Sequence, residues 1–353
     1  MARHPLIPRN ASTAGIMAAV GFSLILTIPA PGAEQTRFMP EIPLGLEKDQ
    51  FNVPKDNPLT KEKIELGRFL FFDKRLSKDN TIACASCHIP ALAFTDAQPV
   101  SAGVRHQQGG RSAPMAINRA FSAAQFWDGR AATLEDQSVG PFTNPVEHGF
   151  ADHPEMIAKM NKIPGYKKEF REVFGGEITV DRIGKAIASF QRTILSGNSP
   201  FDQYDVGGDE NALSPAAKRG LDLFRNKARC TKCHSGFNFT DEKFHNLGIG
   251  WDKDTVDTGR FHVTQDQKDM GAFKTPGLRE IPQTAPYMHD GRFPTLMDVV
   301  NFYNQAGIKN PFQDPLILPL GLTEDEKRDL VEFLRSLSGE GWQGITAPTE
   351  FPM

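Results

Sequence analysis

Hydrophobic residues fall at helical spacing in several separated stretches of the chain. Ile183, Ile187, Phe190 and Ile194 share one face between residues 179 and 195, the three-and-four spacing of an amphipathic helix. Thr323 and Glu326 form a capping box ahead of Leu330, Val331, Leu334 and Leu337, which marks another helix and its start. Ser214-Pro215 opens a third, with serine as cap and proline in the first turn. A fourth runs from about Thr60 to Phe72, and Leu296, Val299, Val300 and Tyr303 share the face of a fifth. Between these stretches the chain is punctuated by 31 glycines and 26 prolines, so many segments are loops between short elements. Gly197 to Leu213, rich in Gly, Asn, Asp and Pro, reads as a linker. The pattern predicts a mainly α protein made of small helical bundles.

One apolar run differs from these. Arg3 and Arg9 precede a stretch from about Ile16 to Ile28, followed by the small residues Ala30, Gly32 and Ala33. Residues 1–33 therefore read as a secretory signal cut near Ala33. The rival reading is a membrane anchor, but the run is short and is broken by Gly21 and Pro29. No other stretch is apolar enough to span a bilayer, so the mature protein is expected in the periplasm with no membrane span. With 353 residues there is room for two domains: 34–200 and 201–353. A net charge of −3 with no basic patch argues against a nucleic-acid binder.

The chemistry lies in the four cysteines, which form Cys84-Ala-Ser-Cys87-His88 and Cys230-Thr-Lys-Cys233-His234. Cys-x-x-Cys-His is the attachment signal of a c-type haem. Two thiols bond the two vinyl groups of one porphyrin, and the adjacent histidine meets the iron. Disulfides, a redox dithiol or one shared zinc are the alternatives. None of them predicts a histidine directly after both pairs. Two covalently bound haem c groups are expected, with His88 and His234 as iron ligands.

The chain also repeats itself. Phe94-Thr95-Asp96 corresponds to Phe239-Thr240-Asp241, Gly103 to Gly248, and Pro114 to Pro276. Phe126-Trp127-Asp128-Gly129-Arg130 through Thr133-Leu134 matches Met288-His289-Asp290-Gly291-Arg292 through Thr295-Leu296. Extra residues lie between Gly248 and Pro276 of the second copy. Tyr303 stands seven residues after Leu296, and the same offset from Leu134 gives Pro141. If both positions overlie a haem, one iron meets a phenol and the other a residue that cannot ligate. That division suits an enzyme with one reactive and one relaying iron. The alternative is that Tyr303 is a core tyrosine.

The pattern resembles the bacterial di-haem cytochrome c peroxidase and MauG superfamily over nearly all of the mature chain. The resemblance rests on Cys84–His88, Phe126–Arg130, Glu147, Cys230–His234, Lys274-Thr275-Pro276 and Pro286–Gly291. It implies two cytochrome c-like haem domains in tandem, the first of which reacts with hydrogen peroxide. It implies that Glu147 is the acid–base residue at that site, that Gln137 helps to hold the peroxide, and that Trp127 relays electrons between the haems. His289 is expected as a hydrogen-bonding residue near the second haem.

The position of Tyr303 separates the subfamilies. It is a methionine ligand in the peroxidases and a tyrosine in MauG. A MauG-type enzyme would complete the tryptophan tryptophylquinone cofactor on a precursor of methylamine dehydrogenase. A peroxidase would take electrons from a small cytochrome or cupredoxin. The loop histidine that caps the first iron in the peroxidases corresponds to Val104, and His106 is two residues out of register. Ala228 replaces a tryptophan that MauG presents to its protein substrate. The family's calcium would fall at Ser112, Thr284 and Pro286, where serine replaces a stronger asparagine ligand. His148, His153, His245 and His262 read as surface or loop residues. Met270, Met288 and Met297 read as core, or as thioether ligands if Tyr303 is not one.

Overall fold

The computed structural model describes residues 36–353, so the expected leader, residues 1–33, lies outside the described residues. The helices in chain order are α1 (Lys61–Phe72), the single turn α2 (Cys84–Cys87), α3 (Leu134–Thr143), α4 (His153–Met160), α5 (Pro164–Phe174) and α6 (Val180–Gln191). They continue with α7 (Pro200–Asp205), α8 (Pro215–Arg225), the single turn α9 (Phe261–Thr264), α10 (Leu296–Asn304) and α11 (Glu324–Arg335). The protein is mainly α, as its periodicity predicts. None of the described helices is long and apolar enough to cross a membrane.

The helix starts follow from local chemistry. Thr60 caps α1 by accepting from Lys63 N, Ser214 caps α8 ahead of Pro215, and Thr323 and Glu326 close a capping box on α11. Each cap satisfies backbone N–H groups that have no partner inside the helix.

Two large hydrophobic clusters hold the helix pairs, and a smaller one gathers Phe51, Leu59, Ala120 and Leu195. In the first, α1 packs on α6 through Leu66, Leu70, Phe71, Ile183, Ile187 and Phe190. In the second, α8 packs on α11 through Leu221, Phe224, Leu330, Phe333 and Leu334. Both pairs cross at a glycine. A Cβ on Gly67 would lie 1.9 Å from Ala186 O and 2.9 Å from Phe190 Cβ. A Cβ on Gly220 would lie 1.9 Å from Asp329 O and 2.8 Å from Phe333 Cβ. The two halves thus bring a pair of backbones together in the same way. Where the second half carries its extra residues, the paired strands β1 (Phe244–His245) and β2 (Phe273–Lys274) close the base of the insertion.

The segment read as a linker is an anchor instead. Ser199 and Asp202 form a capping box that starts α7, and Phe201 enters the second cluster. Asp202 and Arg279 are both 1% exposed and meet in a two-pronged ion pair at 2.7 and 2.9 Å. Arg279 also donates to Gly45 O and Phe237 O, at 2.7 and 2.9 Å. The sequence hides this because the partner lies 77 residues away. The chain's last residues turn back: Trp342 and Ile345 pack on the first cluster, and Arg75 donates to Pro352 O at 2.8 Å.

Removing one member of a buried ion pair leaves the other charge uncompensated. Asp202→Ala should therefore lower the unfolding free energy by about 3–5 kcal/mol. The exposed Glu210→Ala, whose pair with Lys218 sits at 3.4 Å on the surface, should cost less than about 1 kcal/mol. Denaturant titration of both variants tests this, and equal losses would refute it.

Candidate active site

Each Cys-x-x-Cys-His motif folds as one tight turn. In the first, Ser86 Oγ accepts from Ala83 N and His88 N donates to Cys84 O, both at 3.0 Å. In the second, a 3-10 turn at Cys230–Lys232 is closed by His234 N donating to Cys230 O at 2.8 Å. None of the four cysteines is in a disulfide. The two pairs line different cavities, which excludes one zinc shared by both.

The histidines are aimed by their second nitrogen. His88 Nδ1 lies 3.0 Å from Phe94 O, and His234 Nδ1 lies 2.9 Å from Phe239 O. A carbonyl oxygen only accepts, so Nδ1 carries the proton and Nε2 keeps the lone pair that a metal needs. Both phenylalanines hold left-handed backbone, φ 56° and 53°. This turns each carbonyl back toward the imidazole. Burial lowers the pKa of both histidines and keeps them neutral.

The first cavity, of about 540 Å³, contains Cys84, Cys87 and His88; the second, of about 260 Å³, contains Cys230, Cys233 and His234. In each, two free thiols and an imidazole share a wall with apolar side chains, among them Phe71 and Ile187 in the first and Leu296, Val300 and Leu334 in the second. These donor sets fit a haem in both places. Cys233 also lies near Asp241 and His245. Both His245 nitrogens are occupied, at 3.1 Å from Asp241 and 2.6 Å from Asp314, so the imidazole is not free for a metal.

The repeated helices α3 and α10 border the two cavities in the same register. Thr133 caps α3 by accepting from Asp136 N, and Thr295 caps α10 by accepting from Asp298 N. Seven residues past each helix start, Pro141 lines the first cavity and Tyr303 lines the second. The Tyr303 hydroxyl has no hydrogen-bond partner among the described residues. Burial pushes its pKa upward, with the Cys233 and Cys230 thiols adding to the effect. A phenolate there requires a cation beside it. Met288 also lines this cavity, whereas Met297 belongs to the second core and Met270 does not reach it.

In the first cavity Glu147 and Gln137 come together. Glu147 Oε1 accepts from Asn144 Nδ2 at 2.7 Å, and Oε2 has no partner among the described residues. Burial raises the carboxyl above its ordinary 4.5, against the opposing pull of Arg130 and Asn144. Gln137 Oε1 accepts from Gln191 Nε2 at 3.2 Å. Val104 is buried, its N donating to Val146 O and Glu147 O at 2.9 and 3.1 Å. His106 is exposed and does not line the cavity.

Two groups here escape sequence reasoning. His148, read as a loop residue, is buried at 3%, stands 4.7 Å from the Phe142 ring, and holds Leu76 O with Nδ1 at 2.8 Å. Burial lowers its pKa to about 4. The insertion of the second half reaches the first cavity: Asp257 and His262 line it, and Asp257 takes Arg111 in a two-pronged pair at 2.7 and 2.8 Å. Arg111 holds Asp128 as well, at 2.7 Å. No local motif marks contacts of this range.

Trp127 lines both cavities and donates from Nε1 to Ser112 O at 2.9 Å. It meets His289 edge to face at 6.5 Å, and His289 stacks on Phe273 at 3.6 Å. Burial lowers His289 to about 4, so it stays neutral. Ser112, Thr284 and Pro286 line the second cavity. None of them carries a carboxylate, so as a calcium set they offer a serine hydroxyl and two backbone carbonyls.

Residues 61–211 match the family described as di-haem cytochrome c peroxidase. The methylamine utilization protein MauG of Methylorubrum extorquens is 40% identical over 84% of this chain and 83% of its own. A cytochrome-c peroxidase of a Pseudomonas species is 38% identical over 81% of this chain and 83% of its own. Among solved structures, a MauG-like protein associated with microbial copper homeostasis superposes with a TM-score of 0.75 at 33% identity, covering 89% of this chain and 97% of its own. The chain belongs to the di-haem cytochrome c peroxidase and MauG family, oxidoreductases built on cytochrome c-like domains with two haem groups.

Proposed function

We propose that the protein is a MauG-type enzyme with an open first haem and a tyrosine-ligated second haem. The observation that carries this reading is the pair Pro141 and Tyr303, which occupy the same helical position over the two cavities. Proline has no group to offer a metal, and the exposed His106 leaves that side uncapped. Cys84, Cys87 and His88 would hold the first haem covalently, and Cys230, Cys233 and His234 the second. We assign them to domains 34–200 and 201–353 of a periplasmic protein whose leader has been removed.

Bound haem supplies the iron centres that exchange electrons with peroxide and with a partner. The chain's own residues handle the proton. Glu147 accepts it from incoming hydrogen peroxide at the unpartnered Oε2 and returns it to the departing oxygen. Gln137 holds the peroxide beside it. Trp127, in the wall common to both cavities, provides an oxidisable ring between them, and neutral His289 packs against it. Tyr303 would hold the second haem through an anionic oxygen, which favours oxidised iron more than a thioether does. The partner assigned is a protein, the methylamine dehydrogenase precursor, on which tryptophan tryptophylquinone would be completed. Relatives named for methylamine utilization support this choice.

Stoichiometric peroxide added to the fully oxidised protein without a donor should change both haem spectra together. A reaction that begins only after one haem is reduced would favour a cytochrome c peroxidase served by a small cytochrome or cupredoxin. Tyr303→Met should alter the second haem's spectrum and confine the peroxide response to one haem. An unaltered spectrum would remove Tyr303 as a ligand.

Glu147→Gln should slow the peroxide reaction by at least about 100-fold while leaving haem attachment intact. The base must be ionised to act, and burial raises its pKa above 4.5. The rate of the unaltered protein should therefore fall as pH drops through a value above 4.5. Stopped-flow rates across pH check both points; a flat profile shared by the two proteins would refute the assignment.

A further inference from the structure

The first cavity contains one more amide, Gln191, the last residue of α6 and only 6% exposed. Its hydrogen bonds run in one direction only. Ser138 Oγ lies 2.6 Å from Leu134 O. Two oxygens that close share a hydrogen, and a carbonyl has none, so the serine hydroxyl donates. Its proton is then spent, and Gln191, 3.0 Å from Ser138 Oγ, must present its NH2 there. The same nitrogen is 3.2 Å from the Gln137 amide, which must answer with its carbonyl oxygen. Gln137 Nε2 is left without a partner among the described residues, on a side chain that lines the cavity. The polarity of the whole chain is fixed by one backbone carbonyl and holds whichever way either amide is drawn.

The opposite polarity is imposed on Glu147. Asn144 Oδ1 accepts from Val146 N at 2.9 Å, so its NH2 faces the carboxylate and holds it as an acceptor. Glu147 and Gln137 thus offer the cavity an acceptor and a donor. These match the two ends of a hydroperoxide, a proton to give up and an oxygen that gains charge as the O–O bond breaks.

We propose that Gln191 is a positioning residue that locks the Gln137 amide with its NH2 toward the peroxide, so that Gln137 serves as a hydrogen-bond donor. The inference rests on the open first haem proposed above. Without Gln191 the Gln137 amide is free to turn its carbonyl inward, where it would repel the developing charge.

The test uses the two-haem protein, reduced and exposed to carbon monoxide, with the infrared C–O stretch as reporter of a distal donor. Gln137→Leu sets the position of the stretch without that donor. Gln191→Leu, of similar volume, should move much of the band to that position and slow the peroxide reaction by about tenfold or more. Adding Gln191→Leu to Gln137→Leu should change neither readout further. A wild-type stretch in Gln191→Leu, or an equal loss of rate in both backgrounds, would overturn the positioning role. Failure of carbon monoxide to bind would overturn the open-site reading as well.

Discussion

The hydrogen bond from each histidine Nδ1 to a phenylalanine carbonyl governs the rest of the structure. It decides which imidazole nitrogen is left free to meet a metal in each cavity. The bond exists because Phe94 and Phe239 adopt left-handed backbone within a few residues of their cysteine turns. That conformation carries a steric penalty for a bulky side chain. It is held because the same rings enter the two cores, where Phe94 and Phe239 are 0% and 5% exposed. Core packing and ligand orientation are thereby one requirement, met twice.

On this duplicated frame the two sites diverge at single helical positions and through the insertion of the second half, which reaches the first cavity. The helix crossings at Gly67 and Gly220, the threonine caps of α3 and α10 and the histidine carbonyl bonds are shared. Pro141 and Tyr303 are not. A fixed scaffold lets a change at one helical position alter what a cavity offers without shifting the backbone around it. The two sites are also not independent, because Ser112–Met115, Trp127, Lys274 and Pro276 face both cavities.

Much of this is legible in the sequence, and the physical reason is range. Caps, the cysteine turns and the helical faces are set by residues within a few positions of one another, and the spacing of Thr133 and Thr295 carries the equivalence of Pro141 and Tyr303. What the sequence hides is contact between distant segments. Asp202 looks like a linker aspartate until Arg279 is seen beside it. His148 looks like a loop residue until the Phe142 ring covers it. Asp257 and His262, in an insertion of the second half, give no local sign that they border the first cavity. Gln191 is apparent only as part of an amphipathic helix, because its role depends on Ser138 and Gln137 across a helix interface.

The return of residues 342–352 to the first core ties the second half to the first. Trp342 and Ile345 complete a cluster whose other members lie between Ile64 and Ile194, and Arg68 and Arg75 hold the carbonyls of Thr346 and Pro352. Residues 342–352 thus belong structurally to the first half, although they follow the helices of the second in sequence. Cutting the chain just before Trp342 would therefore open the first core, although the break lies far along the second half.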